Sequence, residues 1–109
     1  MKKGFYYIRT RQHGGENAVK INGYIVPDLA SGLTFGARFR AGSGWEVTEL
    51  STGLLISYGE KKPKNQSDIL PFIDRMRPAV LSAMKSHGES TIEHFNDLIR
   101  KAKENEKEN

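Results

Sequence analysis

The sequence predicts an α+β domain: an antiparallel sheet of four to six strands over residues 4–59, then a kinked helix and a second, C-terminal helix packed on one face. Two observations carry this. Before Lys61–Asp68 apolar and polar residues alternate with glycine punctuation, the period of half-buried strands. After it apolar residues recur every three or four positions, the period of a helix. The charge divides at the same place. Residues 1–64 hold ten Lys/Arg and five Asp/Glu (+5), and residues 65–109 hold seven and eight (−1), which sum to the chain's +4. A chain of 109 residues fits one domain, assigned to residues 1–100, with 101–109 as a charged tail that frays or continues as solvated helix.

Phe5–Thr10, aromatic and β-branched, reads as the first strand, and Gly14-Gly15 as a loop. Asn22-Gly23 between Ala18–Ile21 and Tyr24–Pro27 predicts a tight hairpin, since both residues tolerate positive φ. A single long strand with a bulge at Gly23 is the competing reading. Leu33–Arg40 alternates cleanly, with Leu33, Phe35, Ala37 and Phe39 on one face and Thr34, Gly36, Arg38 and Arg40 on the other. Gly36 interrupts that strand and reads first as a bulge, second as a point of close approach. Trp45–Leu50 and Leu54–Tyr58 form a hairpin over Ser51-Thr52-Gly53, with one face of it partly wet.

Ser67 or Asp68 suits an N-cap. Ile69, Phe72, Ile73, Met76, Val80, Ala83 and Met84 then make a helical stripe, with Pro78 predicting a kink or division near Arg77. Gly88 is placed as a C-cap. Ser90–Glu93 forms a capping box for a second helix, whose apolar side is Ile92, Phe95, Leu98 and Ile99.

The chain has no cysteine, which excludes disulfides, thiolate zinc sites and cysteine nucleophiles. The apolar run Phe5–Ile8 is too short for a secretory signal, and no stretch is long enough to span a membrane. A cytoplasmic protein is the expectation. No nucleophile elbow and no phosphate-loop motif occurs. His13, His87 and His94 are not spaced as metal ligands on one helix face. The expectation is therefore a non-enzymatic protein, with no catalytic residues, no cofactor and no metal.

What remains is basic. Arg38 and Arg40 project together from the face opposite Phe35 and Phe39, by strand parity. Arg9, Arg11 and Lys20 join them if their strands are neighbours, and Lys61, Lys62 and Lys64 follow on a loop. Tyr7 and Tyr24 are the stacking candidates. Cations that track phosphates and rings that stack bases are the means by which sheets bind single strands. The order of strands then helix is similar to that of sheet-plus-helix single-stranded-DNA binders, a likeness of architecture alone. The leading expectation is a nucleic-acid-binding sheet face. The alternative is a protein-binding regulator or inhibitor of the phage or mobile-element type, acting through its helices or hairpin. A homodimer through a sheet edge is a further expectation.

Overall fold

The computed structural model describes residues 1–12, 14–58 and 62–108. Five strands form one antiparallel meander in chain order: β1 (Lys2–Gln12), β2 (Gly15–Asp28), β3 (Leu33–Arg40), β4 (Gly44–Glu49) and β5 (Leu54–Leu55). A 3₁₀ turn, Gln66–Asp68, leads into one helix, α1 (Ile69–Glu108). The α+β expectation holds.

One face of the sheet makes the core. Val26, Phe35, Ala37, Trp45 and Val47 pack against Ile69, Phe72, Ile73 and Val80. A second cluster joins Ala18 to Phe95 and Leu98 farther along the helix. The parity read from Leu33–Arg40 is therefore correct. Its last apolar residue is the exception: Phe39 remains 61% exposed at the strand end, its ring edge-on to Trp45 at 5.8 Å.

Three expectations are corrected. Asn22-Gly23 is not a turn. β2 runs unbroken through it, pairing residue for residue with β1 (Phe5↔Asn22, Gly4↔Gly23), and the reversal lies between Gln12 and Gly15. Gly36 is not a bulge either, since it pairs in register with Ile25 and Thr48. Both glycines make room for one ring. A Cβ on Gly36 would lie 2.5 Å from Tyr6 Cζ, and one on Gly23 would lie 2.6 Å from the Ala37 carbonyl and 3.1 Å from Tyr6 Cε1. The close-approach reading of Gly36 is the right one.

The second helix is also not seen. α1 continues for 40 residues through Pro78, Gly88 and Ser90–Glu93. Gly88 is buried within a seam that steps through Met84, Thr91, Phe95 and Leu98, so packing holds it inside the helix. The Thr91 hydroxyl donates back to the His87 carbonyl (2.8 Å) instead of capping a new start. The 3₁₀ turn that leads into α1 is capped by Asn65. A straight helix of this length would span about 60 Å, whereas the molecule extends 40 Å along its longest principal axis, so α1 is not straight.

Two polar ties fix helix to sheet. Arg77 donates to both oxygens of Asp28 (2.8 and 2.7 Å) and to Asp74 (2.6 Å). Arg9 donates to the carbonyls of Thr52 (3.0 Å) and Thr91 (3.2 Å), joining β1, the β4–β5 turn and α1. That turn is organised by Glu49, a buried carboxylate that accepts from Ser51 N (2.8 Å), Thr52 N (3.0 Å) and both their hydroxyls. The backbone N–H of Arg9 also donates to the Gly53 carbonyl (3.3 Å), which brings β1 round towards β5.

Candidate nucleic-acid interface

The registers assign the five predicted cations that lie on strands to a face. Arg38 and Arg40 lie on the side away from α1, as strand parity requires. Arg9, Arg11 and Lys20 lie on the other side, because Tyr7↔Lys20 and Arg9↔Ala18 share parity with Tyr24↔Ala37 and Ala37 is in the core. The eight cations therefore do not form one face. Arg9 is a tie within the fold. It also shares Glu16 with Arg11, each at 3.6 Å, and that carboxylate further contacts His94 at 2.6 Å. The His94 contact first, then the two arginines, hold the Glu16 carboxyl below its ordinary range. Lys20 Nζ stands 4.1 Å from the centre of the Phe5 ring. Lys61 lies outside the described residues.

The stacking candidates are likewise placed elsewhere. Tyr7 faces the end of α1, with Lys103 Nζ 6.0 Å from its ring. Tyr24 packs beside Trp45, ring centres 6.0 Å apart. Neither stands on the Arg38 side.

A smaller group does come together at the β3–β4 end. Arg38 Nε donates to Glu46 Oε1 at 2.8 Å, and its side chain is 25% exposed. Arg40 is freer, 62% exposed and 3.7 Å from the same carboxylate. Its cross-strand partner is Gly44, where an added Cβ would lie 3.7 Å from the Pro63 carbonyl. Lys62 and Lys64, the neighbours of Pro63, thus stand at the same end of the sheet as Arg40. They line a depression there with Asp68, Phe72 and Arg75 at the start of α1. Between the two arginines in sequence comes the exposed ring of Phe39. Sequence reasoning assigned Phe39 to the core because alternation carries no information about where a sheet's cover ends.

Beside these arginines is a cleft of about 180 Å³ between β1 and β5, lined by Ile8, Thr10, Arg38, Arg40, Glu46 and Leu55 among others. Among the described residues, neither Thr10 Oγ1 nor the Tyr6 hydroxyl, both buried, finds a hydrogen-bond partner. Burial first, with Glu46 adding to it and Arg38 opposing, pushes the Tyr6 phenol up to about 12.

A second concavity is apolar. A groove of about 260 Å³ runs between Leu54–Tyr58 and the helix from Met76 to Thr91. Ala79, Ala83 and Gly88 keep the helical wall low, and the two-residue β5 leaves Leu54, Leu55 and Tyr58 exposed. Its signal in the sequence was the Leu54-Leu55 pair, which a strand must send to opposite faces.

No group of three or more His, Cys, Asp or Glu residues suited to a metal occurs among the described residues, and none of their helices is long and apolar enough to cross a membrane. No protein-family model, curated protein or solved structure matches the chain.

Proposed function

We propose that the protein is a non-enzymatic binding domain that holds single-stranded nucleic acid at the β3–β4 end of its sheet. The observation that carries this reading is the gathering of Arg38, Arg40, Lys62 and Lys64 at one end of the sheet, where the exposed Phe39 ring stands on the opposite face of β3 from the two arginines. Cations gathered at a sheet end that also carries a solvent-facing ring suit a strand that passes over that end, its phosphates neutralised while a base stacks. Arg38, held through Nε by Glu46, keeps its terminal nitrogens for an anion. Arg40, Lys62 and Lys64 supply further positive charge.

The test is fluorescence anisotropy with labelled single- and double-stranded oligonucleotides at low and moderate salt. Four phosphate contacts give a slope of log K against log salt of about −3 for a single strand. Phe39→Ala weakens binding roughly 5- to 150-fold, the worth of one stacked base. Arg40→Glu with Lys64→Glu abolishes binding, and Arg11→Glu, beside Glu16 in the His94 cluster, changes little. Absence of binding at low salt, or equal loss with Arg11→Glu, overturns the proposal.

The apolar groove favours a second reading, in which a partner protein docks an amphipathic helix. Four helical turns of α1, Met76–Thr91, line the groove, and methionine walls adapt to apolar side chains. Under this reading affinity capture recovers a stoichiometric, nuclease-resistant partner that Ala83→Glu releases. Capture that survives Ala83→Glu counts against the groove.

A further inference from the structure

β1 is an outermost strand of eleven residues, an unusually long edge to leave open. Its free side is identified by one bond. Arg9 directs its N–H outward to Gly53, and residues of the same parity direct their backbone groups to the same side. Lys3, Phe5 and Tyr7 therefore present outward N–H and C=O groups, while Gly4, Tyr6 and Ile8 pair with β2. Beyond Arg9 the approach of the β4–β5 turn closes the edge. The open window runs from Lys2 to Ile8, and its midpoint is Phe5, 58% exposed.

We propose that this window pairs antiparallel with the same window of a second copy, Phe5 opposite Phe5, to make one continuous ten-stranded sheet. A two-fold axis at Phe5 matches outward residues only with outward residues: Lys3 with Tyr7, Phe5 with itself and Tyr7 with Lys3. Those three hydrogen-bonded pairs exchange about six N–H···O bonds, two each. Lysine meets tyrosine across the junction, so this register sets no like charges directly opposite. The last turns of α1 reach Tyr7, where Glu106 and Lys103 lie. That position brings Glu106 of one copy towards Lys3 of the other, a complementary contact at each end of the window. The interface is isologous and closed, so it stops at two copies.

Sedimentation of the full chain reads the assembly, and a dimer is expected. Phe5→Pro removes only an outward N–H, leaving the β1–β2 ladder intact, and yields a folded monomer with unchanged far-ultraviolet circular dichroism. The register is read by single cysteines, since the chain has none of its own. A hydrogen-bonded antiparallel pair sets its Cα atoms about 5.5 Å apart, within disulfide reach. Phe5→Cys therefore cross-links on mild oxidation, and Lys3→Cys, four residues out of register with its own copy, does not. A monomeric native chain at about 100 µM, a dimeric Phe5→Pro, or equal cross-linking at the two positions overturns the proposal.

Discussion

At Gly36 the absence of a single carbon atom decides how the sheet is filled. The Tyr6 ring leans across β2 onto Gly23 and Gly36 and is 5% exposed. Gly36→Ala drives a methyl group into that ring, and overpacking of this kind costs about 1–3 kcal/mol, measurable by urea unfolding. Tyr6→Phe removes a buried hydroxyl that has no partner among the described residues, so it should stabilise by about 1 kcal/mol. A loss of similar size would mean that the hydroxyl is satisfied. At the other end of β2, hydrogen bonds from Arg77 first and Ser31 second hold the Asp28 carboxyl down to about 2. A folded-state pKa below the unfolded one gives stability that is complete above about pH 4 and lost as pH falls towards 2. The urea midpoint should drop across that window in the native chain and drop less in Arg77→Gln. Equal slopes would remove the ion pair from the account.

Among the elements, β3, β4 and the helical stripe from Ile69 to Met84 were legible because each shows one period over several repeats. What failed were punctuation signals overruled by packing. Asn22-Gly23 has the composition of a turn, but the close approach of Tyr6 and the Ala37 carbonyl needs the same glycine within a strand. Gly88 has the composition of a cap, but the apolar seam crosses it and continues to Leu98. Local propensity is worth about 1 kcal/mol at such a site, and helix packing against the two core clusters on either side outweighs it. Arg9 shows the same limit for charge. It reads as a surface cation, yet its guanidinium joins three elements. Arg9→Met should cost roughly 2–3 kcal/mol, the scale of charged hydrogen bonds lost from a half-buried position. Arg11→Met, 80% exposed, should stay within about 0.5 kcal/mol. If thermal melts show the two to be equivalent, Arg9 is not a tie.

Taken whole, the molecule separates its cations by strand parity. Parity within β3 was readable, so Arg38 and Arg40 stood together from the start. Parity between β1 and β3 depends on the register through β2, which the supposed Asn22-Gly23 turn obscured, and so Arg9, Arg11 and Lys20 were placed on the wrong side. The candidate interface is correspondingly smaller than the composition suggests, and the ring proposed for it is Phe39, exposed at the β3 end on the face opposite the arginines. The chain supplies its own reporter for this site. Trp45, the single tryptophan, contacts Phe39 edge-on, so a base that stacks on Phe39 alters the surroundings of the indole. Titration of the native chain with a single-stranded oligonucleotide at low salt should give a saturable change in Trp45 fluorescence that weakens steeply as salt rises and vanishes in Arg40→Glu/Lys64→Glu. A flat trace at low salt, or a change that the double variant retains in full, would contradict the assignment of nucleic-acid binding to this end of the sheet.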